Sequence, residues 1–281
     1  MFKHTSLTAA LIALAAIALT AASANAAILS DAISGDGFAL AGDTGGDTTV
    51  LSGFNTGTNG TYLVVAITTS TDDEFTTINS VTFGSTQLTE LNAITGNDGV
   101  KKGQAALYGG TVSGTQDITV NTSEISNAGA GAGITIIGAS FYDDGGWIIV
   151  PGAASDGAVN DGNPTSLSDS ITTTVDNSVV VSSVYTGILP SDRNGDTIPQ
   201  GGLTSVLDQQ TSGDGTPSAG HLLSGTYSPV GSYSPAVDFD GQKTFRAAMV
   251  SQELTAIIPE PASIALLGLG GLMIVGRRRR A

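Results

Sequence analysis

Tyr62-Leu-Val-Val-Ala-Ile67 is a run of apolar residues rich in valine and isoleucine, and it follows the turn-forming pair Asn59-Gly60. Val179 to Tyr185 has the same character. Roughly a dozen such runs, each about 3–8 residues long and bounded by Gly, Asn, Asp or Ser, follow one another along the chain. No segment between the two ends of the chain shows a helical period. This pattern predicts an all-β body, folded as an antiparallel β-sandwich or jelly roll.

The β-rich body also contains a weak internal repeat. Asn59-Gly-Thr-Tyr-Leu-Val-Val65 aligns with Asp176-Asn-Ser-Val-Val-Val-Ser182, which lies 117 residues further on. At the same spacing, Val112-Ser-Gly-Thr-Gln116 aligns with Pro229-Val-Gly-Ser-Tyr233. These matches predict two similar β halves with a boundary near residues 150–165. The alternative is that unrelated strands share a common composition.

The charge of the body, residues 27–258, limits its partners. The chain has 10 basic and 25 acidic residues, and Lys3, Arg277–Arg280 and Glu260 lie outside the body. The body therefore keeps 5 basic and 24 acidic residues, a net charge of −19. A nucleic-acid partner is excluded, because binding phosphates requires a basic face. The chain has no cysteine, which excludes disulfides and thiolate metal sites.

The N-terminal segment has the three parts of a secretory signal peptide. Lys3 precedes the apolar run Leu7–Leu19, and the small residues Ala24 and Ala26 form an A-x-A site. We therefore expect a signal helix in residues 1–26, export through the Sec translocon, and cleavage by signal peptidase after Ala26.

The C-terminal segment, residues 259–281, combines three elements. They are the tripeptide Pro259, Glu260 and Pro261, the apolar residues 264–276, and the cluster Arg277, Arg278, Arg279 and Arg280. A helix over Ala262–Gly276 would be about 22 Å long, which is short for a hydrocarbon core of roughly 30 Å. Bilayer thinning and snorkelling of the arginines can make up the difference. Because four arginines resist translocation, we expect a transmembrane helix that leaves the body outside the cytoplasm.

Taken together, these three elements resemble the PEP-CTERM sorting signal. The resemblance implies processing near Pro-Glu-Pro by an exosortase, an integral membrane transpeptidase. It also implies a Gram-negative bacterium that makes exopolysaccharide or biofilm matrix. The expected course is an inner-membrane-tethered intermediate, followed by the cell surface or the extracellular matrix.

The body resembles a group of uncharacterised secreted bacterial β-sandwich domains. The resemblance rests on the order of short segments, among them Val81-Thr-Phe-Gly84, Leu88-Thr-Glu-Leu91, Asp117-Ile-Thr-Val120 and Ala247-Ala-Met-Val-Ser-Gln-Glu-Leu254. Because that group has no assigned activity, the resemblance concerns the fold alone.

The residues that usually carry catalysis are few. Within the body, His221 is the only histidine, and no G-x-S-x-G motif accompanies it as a serine hydrolase of that type would require. The four glutamates, Glu74, Glu90, Glu124 and Glu253, form no recognisable glycosidase pattern. We therefore expect no enzymatic activity, with a secreted hydrolase as the less favoured alternative.

A calcium loop is the best of the metal hypotheses. Asp192, Asn194 and Asp196 are spaced two apart, like the first ligands of an EF-hand loop. However, Thr197 stands where that loop needs glycine, and Leu203 stands where it needs a bidentate glutamate. An Asx-rich turn explains the pattern without an ion, so we expect no cofactor and keep calcium as a weak alternative.

Two aromatic residues are candidates for glycan contacts. Tyr142 and Trp147 flank Asp143-Asp-Gly-Gly146, and this combination of aromatic rings and hydrogen-bonding groups is typical of carbohydrate sites. The alternative is that both rings belong to the core or to a sheet edge. The favoured prediction for the whole chain is therefore an exported structural or interaction protein, and a carbohydrate-binding module that recognises extracellular polysaccharide is the alternative.

Overall fold

The computed structural model describes residues 27–39, 47–71, 76–97, 102–123, 132–162, 164–188, 197–210, 218–239 and 244–257. Every regular element in these ranges is a β-strand, and every strand pairing is antiparallel. The expected all-β antiparallel fold class is therefore confirmed. The predicted signal helix and transmembrane helix lie outside these ranges. No helix that could cross a membrane occurs in the part of the chain that the structure describes.

The twenty strands of the described ranges fall into two sets in chain order. The first set is β1 (Ile28–Ala39), β2 (Thr48–Asn55), β3 (Tyr62–Thr71), β4 (Ile78–Phe83), β5 (Thr86–Gln87), β6 (Thr89–Asn97), β7 (Lys102–Thr111), β8 (Thr115–Thr122) and β9 (Gly133–Asp143). The second set is β10 (Ile148–Ala154), β11 (Ala158–Asn160), β12 (Ser166–Ser168), β13 (Ile171–Thr172), β14 (Ser178–Ile188), β15 (Thr197–Gln200), β16 (Thr204–Gln210), β17 (Ser218–Tyr227), β18 (Ser232–Tyr233), β19 (Ala236–Phe239) and β20 (Thr244–Ile257).

Each set forms a large inner sheet and a smaller outer layer. The first inner sheet has the order β1-β9-β3-β7-β6, and the first outer sheet has the order β2-β8-β4-β5. The second inner sheet has the order β10-β20-β14-β17-β16, with β11 also paired to β20. The second outer layer consists of β12-β19-β15 and the pair β13-β18.

The apolar run in β3 is continuous because both faces of that strand are buried. Side chains alternate between the faces of a strand. The odd-numbered residues from Leu63 to Ile67 pack in a core shared with the first outer sheet, and the even-numbered residues from Tyr62 to Ala66 pack against the second inner sheet. In β14, Val179 and Val181 face the first inner sheet, whereas Val180 and Val184 face the second outer layer. The described part of the body thus has four layers and three apolar cores.

The second set repeats the strand order and the register of the first. Val64 of β3 pairs with Gly109 of β7, and Gly109 pairs with Thr89 of β6. In the second inner sheet, Val181 of β14 pairs with Ser224 of β17, and Ser224 pairs with Thr204 of β16. Val64 and Val181 are 117 residues apart, the spacing of the internal sequence repeat.

Irregularities of pairing recur at corresponding places in the two sets. They lie between Ser30/Ile33 in β1 and Pro151/Ala154 in β10, and between Glu90/Asn92 in β6 and Ser205/Leu207 in β16. Because β-bulges are specific features of a framework, their recurrence indicates that the two sets share one framework. The two inner sheets pack through corresponding faces, as in an isologous dimer interface.

Both ends of the described body lie together. The Ala27 amide donates to Asp144 Oδ1 at 2.7 Å, and the Asp144 amide donates to the Ala27 carbonyl at 3.2 Å. Next to this contact, Ile148 pairs with Ile257. The chain passes from the first set to the second between Asp143 and Ile148. Ala27, which follows the predicted signal peptide, and Ile257, the last described residue before the C-terminal segment, therefore lie at the same end of the described body.

Candidate functional sites

A polar cavity opens between the β10 edge of the second inner sheet and the second outer layer. Its volume is about 540 Å³. Its polar lining residues are Asp156, Ser168, Asp169, Ser170, Thr172 and Ser234, and the remaining lining residues are alanine and glycine. No basic and no aromatic side chain is among the lining residues.

The cavity forms where two strands are interrupted. β10 ends at Ala154 and β11 begins at Ala158, and Gly157 turns the chain between them with a φ of 78°, a value that favours glycine. On the opposite wall, β12 ends at Ser168 and β13 begins at Ile171. These interruptions bring Asp156 and Asp169 into one cavity.

Hydrogen bonds hold the wall that carries Asp156. Ser155, the preceding residue, donates its amide to the Ser251 carbonyl at 3.0 Å and accepts the Ser251 amide at its Oγ at 2.9 Å. The side-chain amide of Asn92, from the first inner sheet, donates to the Ser155 carbonyl at 2.9 Å. The wall is therefore anchored to both inner sheets.

Asp169 is unusual among the lining residues because it is a buried acidic residue, and no sequence pattern predicted this. Its exposed fraction is only 4 %. Its amide donates to the Pro235 carbonyl at 2.9 Å, and its Oδ1 accepts the Ser170 amide at 2.7 Å. Its Oδ2 is buried without a hydrogen-bond partner in the structure. Nothing in the local sequence distinguishes Asp169 from the other turn aspartates, because its burial results from packing between two layers.

Glu253, one of the four glutamates, is buried in β20 and is fully occupied by hydrogen bonds. Its carboxylate accepts the Ala153 amide at 2.9 Å, and the amide and hydroxyl of Thr174 at 2.7 and 2.8 Å. Burial opposes ionisation, but these hydrogen bonds to the charged form outweigh it and lower the pKa of Glu253 below its ordinary value. An ionised and enclosed carboxylate is suited to a structural role.

Glu90 is exposed in β6 and accepts a hydrogen bond from the Tyr108 hydroxyl at 2.8 Å. Burial of the phenol, together with the neighbouring Glu90 carboxylate, raises the pKa of Tyr108 above its usual range. Glu74 and Glu124 lie outside the described residues. The described glutamates, Glu90 and Glu253, stand on different inner sheets and engage different partners.

His221 is the buried centre of a polar chain in the second inner sheet, and the Asp208 end of this chain is exposed. Its Nδ1 is 2.7 Å from Asp208 Oδ1, and its Nε2 is 3.4 Å from Thr186 Oγ1. The order Asp–His–Thr is that of a catalytic triad, but His221 and Thr186 are both 0 % exposed. A nucleophile at Thr186 would have no access to substrate, so this chain of contacts serves to connect strands β14, β16 and β17.

Tyr142 and Trp147 lie at the end of the body where Ala27 contacts Asp144 and Ile257 pairs with Ile148, and both are half-buried. Asp143 shapes the loop between them, because its Oδ1 accepts the amides of Gly145 and Trp147, each at 3.0 Å. Their role in glycan binding stays a prediction.

The remaining predicted sites lie outside the described residues. These are the cleavage residues Ala24 and Ala26, the calcium-like loop from Asp192 to Asp196, and the elements of the C-terminal segment. In the ranges that the structure does describe, no group of three or more His, Cys, Asp or Glu residues is arranged to hold a metal ion.

Comparison with protein families identifies the C-terminal segment. Residues 258–280 match the PEP-CTERM protein-sorting motif, so the resemblance inferred from Pro-Glu-Pro, the apolar segment and the arginine cluster is confirmed. No curated protein and no solved structure matches the chain. The chain therefore carries a bacterial PEP-CTERM sorting motif, which implies export and surface sorting by an exosortase-type system.

Proposed function

We propose that this chain is an exported structural or interaction protein of the bacterial cell surface or extracellular matrix. The observation that carries the proposal is the sorting motif at residues 258–280, attached to an all-β body. In this proposal the body is a pair of β-sandwiches, and its role is to present surface to partners rather than to catalyse a reaction.

The position of the chain ends supports a tethered orientation. The sorting segment begins directly after Ile257, which pairs with Ile148 beside the Ala27–Asp144 contact. A body held at this end presents its opposite end and its sides away from the membrane. The intermediate would sit at the inner membrane of a Gram-negative cell through its C-terminal helix, and processing would then transfer the body to the surface or matrix.

The charge of the body supports a role outside the membrane. With a net charge of −19 over residues 27–258, the body is repelled by anionic lipid and remains soluble once the basic tail has been removed. The tail is then the only strongly basic segment, in agreement with a temporary anchor.

The sorting step is tested by replacing Pro259, Glu260 and Pro261 with alanine in the full chain, expressed in a host that has an exosortase. We expect the wild-type body outside the cell without Arg277–Arg280, and the variant retained in the membrane fraction with its tail. The control is Pro151→Ala, which removes an exposed proline of β10. Intact mass of the recovered protein measures the outcome, and released wild-type protein that still ends in Arg280-Ala281 would contradict the proposal.

Recognition of extracellular polysaccharide is the second candidate function. The observation in its favour is that Trp147 is half-buried rather than part of a core, and lies beside the exposed Ile148. Aromatic rings with one accessible side are suited to packing on sugars. In affinity electrophoresis through polysaccharide gels, Trp147→Ala should abolish retardation while Tyr142→Phe, which keeps the ring, should not. Equal retardation of the wild type and Trp147→Ala would rule out this ring as the platform.

A further inference from the structure

We propose that Asp144 is a binding site for the α-ammonium group that removal of the signal peptide creates on Ala27. The ligand is a primary ammonium ion of the chain itself. Hydrolysis of the peptide bond between Ala26 and Ala27 leaves the oxygen of the water on the Ala26 carboxylate and both its hydrogens on the Ala27 nitrogen, which is then positively charged at neutral pH. The inference rests on the export step of the proposed function, because it needs cleavage after Ala26.

The first argument is the geometry of the Ala27 nitrogen. This atom lies 2.7 Å from Asp144 Oδ1, and the Ala27 carbonyl accepts the Asp144 amide at 3.2 Å. In a regular hydrogen-bonded pair of antiparallel residues, the acceptor for the Ala27 nitrogen would be a backbone carbonyl, whereas here it is a carboxylate. A carboxylate binds an ammonium more strongly than it binds an amide, and such charge-assisted hydrogen bonds are about 2.7–2.9 Å long. Cleavage therefore strengthens a contact whose two atoms are already in place.

The second argument comes from the second set of strands, which has a different contact at the corresponding place. In both edge strands, β1 and β10, the three residues before the pairing irregularity pair regularly with the neighbouring strand. One residue further out, the first set has Ala27 beside Asp144, and the second set has Ile148 opposite Ile257. The shared framework therefore does not require a carboxylate here. It carries one at the place where the predicted cleavage creates a positive charge.

The third argument is that no Lys or Arg side chain of the described ranges competes for Asp144. Those ranges contain two such residues, Lys102 and Arg246. Lys102 pairs with Thr71 and Arg246 pairs with Gly187, which lie toward the other ends of β3 and β14. Within the described part of the chain, the new N-terminus is therefore the cation that lies closest to this carboxylate.

The neighbouring ionisable side chains on β9 are those of Asp143 and Tyr142. Asp143 Oδ1 accepts two loop amides, and Tyr142 is opposite Leu29. The adjacent carboxylates of Asp143 and Asp144 favour a positive charge on the Ala27 nitrogen, so the pKa of the α-amine should be higher than is usual for this group. Because Asp144 is exposed, salt screens the ion pair and its effect on stability is modest. The α-amine itself is therefore the sensitive probe.

The test measures the α-amine of the mature full chain, which is produced with its signal peptide in a secreting host without an exosortase and purified in detergent at low ionic strength. Intact mass first establishes that the chain begins at Ala27. Trace acetylation with acetic anhydride over a series of pH values, followed by mass spectrometry of the N-terminal peptide, then gives the pKa of the α-amine. We expect a pKa above that of the same amine in a free peptide of residues 27–32.

Two variants and one control assign this increase to Asp144. Asp144→Asn keeps the shape of the side chain and removes its charge, so it should lower the pKa of the α-amine to the peptide value. A Gly-Ser-Gly-Ser insertion before Ala27 should do the same, because it moves the ammonium away from Asp144. The matched control Asp36→Asn removes an exposed charge from β1 and should keep the wild-type pKa.

Two results for the α-amine would overturn the proposal. One is a wild-type pKa equal to that of the free peptide, and the other is a raised pKa that persists in Asp144→Asn. A mature chain that begins at a residue other than Ala27 would also overturn it and would leave export intact. Protein that stays inside the cell with its signal peptide attached would instead contradict the export step of the proposed function.

Discussion

Glu253 and Ser140 occupy corresponding positions in the two inner sheets and hold corresponding segments. Ser140 Oγ accepts the Ala32 amide at 3.0 Å and donates to the Thr56 carbonyl at 2.7 Å. Glu253 likewise binds the edge strand at Ala153 and the following loop at Thr174. A neutral hydroxyl therefore makes these hydrogen bonds in the first set of strands, and a carboxylate makes them in the second set. Of the two, only the hydrogen bonds of the Glu253 carboxylate depend on pH.

The hydrogen bonds of the Glu253 carboxylate should make the free energy of unfolding depend on pH in the acidic range. Because the pKa of Glu253 is lowered in the folded protein from its ordinary value of 4.5, its contribution is complete above about pH 4.5 and is lost as the pH falls through the lowered pKa. At pH 7, Glu253→Gln should reduce the free energy of unfolding by about 1.5–3 kcal/mol. The difference between variant and wild type should shrink below pH 4.5.

Urea unfolding of the full chain at pH 7 and pH 3 measures both parts of this prediction. Glu90→Gln, which changes an exposed glutamate of β6, is the matched control. It should have a small effect on the free energy of unfolding at both pH values. A Glu253→Gln destabilisation that is equally large at pH 3 would show that shape, rather than charge, determines the role of this residue.

At the scale of the strands, the two inner sheets come into close contact at glycines, which have no side chain to keep the strands apart. A Cβ on Gly103 of β7 would lie 2.0 Å from Tyr185 Cε1 of β14, and a Cβ on Gly220 of β17 would lie 1.9 Å from Thr135 Oγ1 of β9. These two glycines let each sheet accept side chains of the other. Their sequence context gave no sign of this, because the neighbouring atoms belong to strands distant in the chain.

Overpacking this interface should therefore destabilise the body. We expect Gly103→Ala and Gly220→Ala each to lower the free energy of unfolding by about 1–3 kcal/mol, since the added methyl group displaces well-packed atoms. Gly162→Ala is the control, because its nearest neighbour would be 3.7 Å away. Chemical denaturation of the three variants measures the effect, and equal stabilities of all three would contradict the close approach described here.

At the scale of the whole molecule, the central core belongs to both sets of strands. It contains Val64 and Leu107 from the first inner sheet and Val181, Leu222 and Val250 from the second. Neither set buries this face by itself. The buried Arg246 lies in the same region, where its Nε donates to the Tyr185 hydroxyl at 2.8 Å and its guanidinium donates to Ser70 of the first inner sheet. The two sets are therefore joined by apolar and polar contacts.

A fragment of residues 27–147 should consequently self-associate. Without the second set it exposes the apolar face of β3, β7 and β9, and large exposed apolar patches promote association. Size-exclusion chromatography with light scattering should show dimers or larger species, whereas the full body should be free of association through this face. The same fragment with Val64→Lys and Leu107→Lys should associate less. A folded, monomeric wild-type fragment would contradict this account of the central core.

Local patterns were enough to predict the fold class and the sorting tail. Strand propensity, turn residues and the combination of Pro259-Glu260-Pro261 with an apolar segment and arginines are all properties of neighbouring residues, so they are visible without a structure. The acidic cavity is not visible in this way. Asp156 and Asp169 resemble ordinary turn residues until two interrupted strands bring them together, and the missing partner of Asp169 Oδ2 is a property of the packed layers. The same holds for Arg246, Gly103 and Gly220, because burial and close approach depend on contacts between residues far apart in the chain.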